Sequence, residues 1–312
     1  MRHRRMGTSG LRVSSLALGT MTWGRSTDFE TASEQLRMFL SSGGTLVDTA
    51  HGYSDGAAEE YLGRMLADEV AREDVVVCTK AGISRRSGTR VVDTSRFALL
   101  SQLDQSLERL GTDHVDLWLV HTWSDEAPLT ETLSALEWAI GTGRARYVGV
   151  SNYSGWQVAR AATLLEQARV PLVANEVEYS LLNRLPEADL LGAAQALGFG
   201  VMPWSPLGRG VLTGKYRHGI PADSRAASRD FPRFTARYLD DRSAGIVEAL
   251  AIAAQGLGVS AAEVALAWVR DRPGVVSPVV GARTTAQLKT ALASDTLVLP
   301  EELVAALDEV SA

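Results

Sequence analysis

The sequence contains one cysteine, Cys78, among 312 residues. No disulfide can close within such a chain, which fits a reducing compartment and leads us to expect a cytoplasmic protein. Long apolar runs are missing as well. Stretches such as Val115–Val120 fall far short of the roughly 18 residues of a membrane span, so no membrane partner is expected. Met1–Arg5 is basic, but Met6–Arg12 is not the apolar core of a signal peptide. Positive charge is not in excess: 31 Lys and Arg face 37 Asp and Glu, a net charge of −6. A general nucleic-acid binder would want the opposite sign. At 46% hydrophobic and 22% charged residues, the chain does not have the apolar depletion of a disordered one.

Two phosphate-binding signatures are absent. The sole G-x-G-x-x-G/A match, Gly256 to Ala261, falls between two helical segments, whereas a dinucleotide fold needs it between strand and helix. From Gly208 to Gly214-Lys215 there are five intervening residues where a P-loop has four, and Tyr216 stands where Ser or Thr is required.

What is present is alternation. Short apolar runs at Leu16–Gly19, Leu46–Asp48, Val75–Thr79, Val115–Val120, Tyr147–Val150, Leu172–Val177, Gly200–Trp204 and Val276–Val280 read as strands. Between them lie helical patterns such as Ser95–Leu110, where Leu99, Leu103, Leu107 and Leu110 recur at helical spacing. Eight strands, each leading towards a helix, predict a parallel sheet closed as a (β/α)8 TIM barrel. The rival is an open doubly wound sheet. Residues 1–14, with Gly7-Thr-Ser-Gly10 as the turn, read as a hairpin closing the N-terminal end of the barrel. The whole of 1–312 is then one domain. Lys215–Asp241 has no clear period, and a loop that long is usually functional.

Catalytic groups of such barrels sit at the C-terminal strand ends. Asp48, His51 and Tyr53 follow the second strand, Lys80 the third and His121 the fourth. Each alone has an ordinary explanation: a turn-forming Asp, a solvated Lys, a structural His. Together they point at one mouth. Tyrosine titrates near 10 in water. A neighbouring Lys⁺ favours its phenolate, an Asp keeps that Lys charged, and a His can hydrogen-bond a carbonyl. The set can polarise a C=O and deliver a proton to the developing alkoxide, but a reductase would need a hydride from a cofactor.

These residues lie within stretches that resemble the aldo-keto reductase family. In order they are Leu18-Gly-Thr-Met-Thr-Trp-Gly24, Val47-Asp-Thr-Ala-His-Gly-Tyr53, Thr79-Lys80, Asp116-Leu-Trp-Leu-Val-His121, Gly149-Val-Ser-Asn152, Val177-Glu-Tyr-Ser-Leu-Leu-Asn183, Trp204-Ser-Pro-Leu-Gly208 with Leu212-Thr-Gly-Lys215, and Gly281-Ala-Arg-Thr284. The resemblance implies NADPH-dependent reduction of aldehydes or ketones by hydride transfer. Tyr53 is then the general acid, Lys80 paired with Asp48 lowers its pKa, and His121 orients the carbonyl. It further implies that Ser151, Asn152 and Glu176 meet the nicotinamide carboxamide and that Trp204 stacks on the ring. Ser205, Leu207, Gly208, Gly210 and Lys215 would hold the pyrophosphate. Gly281, Ala282, Arg283, Thr284 and Gln287 would meet the 2′-phosphate and adenine at a helix N-terminus. Gly19, Thr20 and Met21 would line the mouth by the ribose, with Trp23 and Trp123 as substrate-pocket walls.

Three positions depart from the family pattern. Glu176 replaces the usual Gln, which should favour the oxidised, cationic nicotinamide. Ala291 replaces an adenine-binding Asn, so preference for NADPH over NADH rests mainly on Arg283. Trp204 replaces a Tyr and should preserve stacking. The partner expected is a small carbonyl compound. A second function stays open, a cofactor-binding regulatory subunit like the β subunits of ion channels. A metal-dependent hydrolase using Asp48, His51 and His121 is disfavoured because no His-x-His pair follows the first strand.

Overall fold

In the computed structural model, residues 1–86, 89–222, 224–228 and 234–312 are described. The chain opens with a hairpin, β1 (His3–Arg5) and β2 (Arg12–Ser14). Next come β3 (Ala17–Gly19), α1 (Phe29–Ser41), β4 (Leu46–Asp48), α2 (Ala57–Asp68) and β5 (Val76–Ala81). A second hairpin follows, β6 (Ile83–Arg86) and β7 (Thr89–Val92), before α3 (Arg96–Leu110). Strand and helix then alternate through β8 (Val115–Val120), α4 (Leu129–Gly141), β9 (Ala145–Ser151), α5 (Gly155–Gln167), β10 (Leu172–Glu178) and α6 (Leu190–Leu197). The last elements are β11 (Gly200–Trp204), α7 (Asp241–Leu257), α8 (Ala261–Arg270), β12 (Val279–Gly281), α9 (Thr285–Ala293) and α10 (Glu301–Ser311).

Eight parallel strands close into a barrel in the order β10-β11-β12-β3-β4-β5-β8-β9. The helices form where the sequence puts an apolar stripe behind a cap. In α3, the Ser95 side chain accepts the Ala98 N–H, and Leu99, Leu103, Leu107 and Leu110 are buried. Loss of such a cap costs about 1 kcal/mol, and each buried leucine contributes about 1.5–3 kcal/mol. Ser154 with Gln157, and Ser260 with Glu263, make capping boxes at the starts of α5 and α8.

The barrel interior is a packed core. Leu46, Cys78, Leu117, Leu119, Ala174 and Met202 fill it, and Met6 and Val13 from the first hairpin join the same cluster. The hairpin therefore plugs one end, as its position predicted. Its Gly7 lies so close to β11 that an added Cβ would meet Gly198 O at 2.1 Å.

The segment Lys215–Asp241 contains a short turn of 3-10 helix at Ala236–Tyr238. Residues 223 and 229–233 of it lie outside the described residues. The hairpin β6–β7 was not foreseen. Its strands are four residues each, and neither carries an apolar-polar alternation long enough to register.

Candidate active site

Barrel order divides the rim into two arcs. Three adjacent strands, β4, β5 and β8, end in Asp48, Lys80 and, just beyond β8, His121. Lys80 is wholly buried, with its ammonium between two carboxylates. It donates to Asp48 Oδ1, and to Glu176 Oε2 at 2.9 Å. Burial alone would depress the lysine pKa, but Asp48 and then Glu176 outweigh it and raise it. The ammonium lies 5.3 Å from the centroid of the Tyr53 ring, and the His121 ring meets Tyr53 edge-on at 5.8 Å. The four groups expected to act together are thus together.

Their protonation states differ from the simplest expectation. Burial pushes the Tyr53 hydroxyl well above its ordinary value; Lys80 pulls it down, but Asp48 and Glu176 push it up again. Lysine proximity does not win here, because burial outweighs it and Asp48 cancels part of its field. Burial also depresses His121, helped by the positive charges of Lys80 and Arg90, so its ring is neutral.

Tyr53 stands on a strained loop. Ser54, Asp55 and Gly56 follow it with φ of 50°, 55° and 105°, all left-handed. Arg109 of α3 braces this loop by donating to His51 O and Glu59 Oε2, each at 3.1 Å. Glu59 is fully buried and also accepts from Thr79 Oγ1 at 2.6 Å, one residue before Lys80. Sequence reasoning missed Glu59 and Arg109, which sit on helices and reach the site only through the loop and through Thr79 of β5.

The other arc, β9, β10, β11, β12 and β3, carries the residues expected at a dinucleotide. Trp204 is partly exposed, and its indole N–H donates to Asn152 Oδ1 at 2.9 Å. Asn152 Nδ2 donates to His121 O and to Ser151 Oγ, both at 3.0 Å. Its amide is committed within the protein, which leaves Ser151 the better placed to meet a carboxamide. Ser205, Gly208, Arg209 and Gly210 all have positive φ (51°, 54°, 59° and 94°). The N–H groups of Gly208 and Gly210 close turns onto Ser205 O and Leu207 O. A Cβ at Gly210 would stand 3.2 Å from Lys215 Nζ, so the glycine keeps space open beside that cation. Thr284 caps α9, Gln287 Oε1 accepts the Arg283 N–H at 2.9 Å, and Gly281 pairs with Gly19 in the barrel. Met21 is partly exposed, Thr20 is buried, and Ala282 is buried with its carbonyl taken by Thr22 and Gln35. A cation with open space beside it and a flat aromatic ring on the same arc fit a dinucleotide.

The family model described as the aldo/keto reductase family matches residues 15–312. The chain belongs to the aldo-keto reductase family. Among its relatives is the L-glyceraldehyde 3-phosphate reductase of Escherichia coli, 36% identical over 93% of this chain and 86% of that one. A probable voltage-gated potassium channel subunit beta of Oryza sativa subsp. japonica is 36% identical over 92% of this chain and 89% of its own length. Protein tas of Escherichia coli is 35% identical over 99% and 97%. Membership and these relatives make the protein an NAD(P)H-dependent oxidoreductase.

One of the two walls expected in this aldo-keto reductase needs revision. Trp23 is fully buried, its Nε1 donating to Gln35 Oε1 at 2.9 Å, so it packs the core and lines no pocket. Trp123 is partly exposed and heads an aromatic cluster, with Tyr153 at 5.1 Å and the exposed Trp156 at 5.3 Å between ring centroids. Trp156 had read simply as part of α5. Arg209 was likewise passed over. It pairs with Glu178 through two hydrogen bonds of 2.8 Å, donates to Phe234 O at 2.6 Å, and lies 4.1 Å from the Phe234 ring centroid. It ties the far end of the long segment to the rim. His51 is held by Gln105 at 3.0 Å, and among the described residues no cluster of His, Cys, Asp and Glu is arranged for a metal. No helix among the described residues is by itself long and apolar enough to cross a membrane.

Proposed function

We propose that this aldo-keto reductase reduces aldehydes or ketones to alcohols with NADPH, and that Tyr53 is the general acid. The observation carrying this is the fully buried Lys80 held between Asp48 and Glu176, with its ammonium 5.3 Å from the Tyr53 ring centroid and the His121 ring edge-on to Tyr53. When bound, the nicotinamide supplies the hydride. Ser151, Trp204, Ser205, Leu207, Lys215, Arg283 and Thr284 would hold the dinucleotide, with Arg283 giving the preference for NADPH over NADH. The substrate oxygen would lie between Tyr53 and the neutral His121. Tyr53 keeps its proton through neutral pH and so is in the donor state that reduction needs. As the oxygen gains charge, the proton moves from Tyr53 Oη to it, and Lys80 stabilises the phenolate left behind.

Replacing Tyr53 by Phe tests the acid. The variant should lose about 10²–10⁴-fold in kcat with 4-nitrobenzaldehyde while NADPH still quenches tryptophan fluorescence. Retained turnover would disprove the assignment. The rice relative's name supports a second reading, a cofactor-binding regulatory subunit. Multiple turnovers of the wild type in steady state favour the enzyme; a single slow turnover favours the subunit.

A further inference from the structure

The hairpin β6–β7 rises from the rim between the two groups assigned to the substrate carbonyl. It leaves the barrel at Gly82, directly after Ala81, whose carbonyl accepts the His121 N–H at 2.8 Å. Its return is pinned to the same point, since Asp93 N–H donates to Gly82 O at 3.0 Å. Its first residue also touches the tyrosine loop. A Cβ on Gly52, next to Tyr53, would stand 2.8 Å from Ile83 O. The stem is therefore wedged against both the Tyr53 loop and the end of the His121 strand. Four cross-strand pairs, Ile83 with Val92, Ser84 with Val91, Arg85 with Arg90 and Arg86 with Thr89, give it a fixed register.

Its composition is one-sided. Residues 83–92 include Arg85, Arg86 and Arg90 and no acid. Arg90 is exposed and forms no ion pair or hydrogen bond among the described residues. The nearest acid in sequence, Asp93, accepts the Ser95 N–H at 3.0 Å. Arg90 sits on the third rung from the wedged stem, opposite Arg85, and its charge is among those that lower the His121 pKa after burial and Lys80. A guanidinium with no partner among the described residues, on a hairpin seated at the lip of a carbonyl site, is suited to a ligand that brings its own anion.

We propose that Arg90 on β7 is an anion subsite, and that the preferred substrates are carbonyl compounds bearing a phosphate or carboxylate a few bonds from the reacting carbon. The proposal rests on the reductase reading above. Trp123, partly exposed just beyond β8, would supply apolar contact, while the hairpin would supply charge.

The test compares matched pairs with NADPH: glyceraldehyde 3-phosphate against glyceraldehyde, and 4-carboxybenzaldehyde against 4-nitrobenzaldehyde. Wild type should favour the anionic member in kcat/KM by about 10- to 100-fold for the pair whose anion fits, with the preference falling as salt rises. The two pairs separate phosphate from carboxylate. Arg90→Gln should remove most of that ratio through KM, and Arg90→Lys should restore part of it. An unchanged ratio in Arg90→Gln, or no anionic preference in wild type, overturns the subsite while neutral turnover leaves the reductase reading standing. No turnover of any of the four compounds by wild type overturns both.

Discussion

Lys80 carries one positive charge and faces two carboxylates, so the site has room for one more proton than its ion pair needs. Glu176 is where that proton belongs. Burial, and then the charge of Asp48, push its carboxyl up to about 8 against the pull of Lys80. A folded-state pKa above the ordinary 4.5 means that the folded chain keeps a proton the unfolded chain releases. The stability linked to it is whole at low pH and is lost as pH rises through the window from 4.5 towards 8. Gln at this position cannot ionise. The Tm of Glu176→Gln relative to wild type should therefore climb from about pH 5 to about pH 8.5, measured by calorimetry. A constant difference would mean that Glu176 is charged throughout. Above about pH 8, where Glu176 ionises, the same variant should shift the ratio of NADP⁺ to NADPH affinity towards NADPH, because it removes a negative charge from the arc where the nicotinamide is expected; an unchanged ratio there sinks that role.

Among the elements, the Tyr53 loop shows how a site residue depends on helices that never touch substrate. Three left-handed residues in succession are costly, by about 1–3 kcal/mol for each one that is not glycine. The pairing of Arg109 with Glu59 offsets this. Gly56 makes room for the brace, since a Cβ there would stand 2.4 Å from Arg109 Cζ. Gly56→Ala should cost about 1–3 kcal/mol in urea unfolding, and should lower kcat more than it weakens NADPH binding. Equal effects on both would show that the brace serves the fold alone. This brace was illegible in the sequence because Arg109 and Glu59 sit 50 residues apart, on helices whose apolar stripes explain their folding completely. The tetrad was legible for the opposite reason. Asp48, Tyr53, Lys80 and His121 each lie at or just beyond the end of a strand, and strand ends in a parallel barrel share one rim. Trp23 misled because a tryptophan after a strand has the same sequence context whether it faces the mouth or, as here, the core. The β6–β7 hairpin lacked any signal longer than four residues.

At the scale of the molecule, the first hairpin and the mouth loops occupy opposite ends of one barrel. Met6 is fully buried in the interior cluster with Val13, Cys78 and Met202. Met6→Ala should cost about 2–5 kcal/mol in stability through the cavity it leaves. Its effect on kcat should be small, because the packed interior separates it from the rim; a loss of kcat without a loss of stability would contradict that separation. The closed strand order also explains why the sequence read so well at this scale. Eight alternations leave a barrel few topologies to choose from, whereas side-chain partners across the rim had to be seen.

One amide joins the two arcs of that rim. Asn152 holds the His121 carbonyl with its nitrogen and the Trp204 indole with its oxygen. A ring settling on Trp204 therefore pulls on the backbone of His121 through two hydrogen bonds and no solvent. Coenzyme and substrate need not arrive as strangers: whichever lands first sets the seat of the other, and the help each gives is repaid in equal measure.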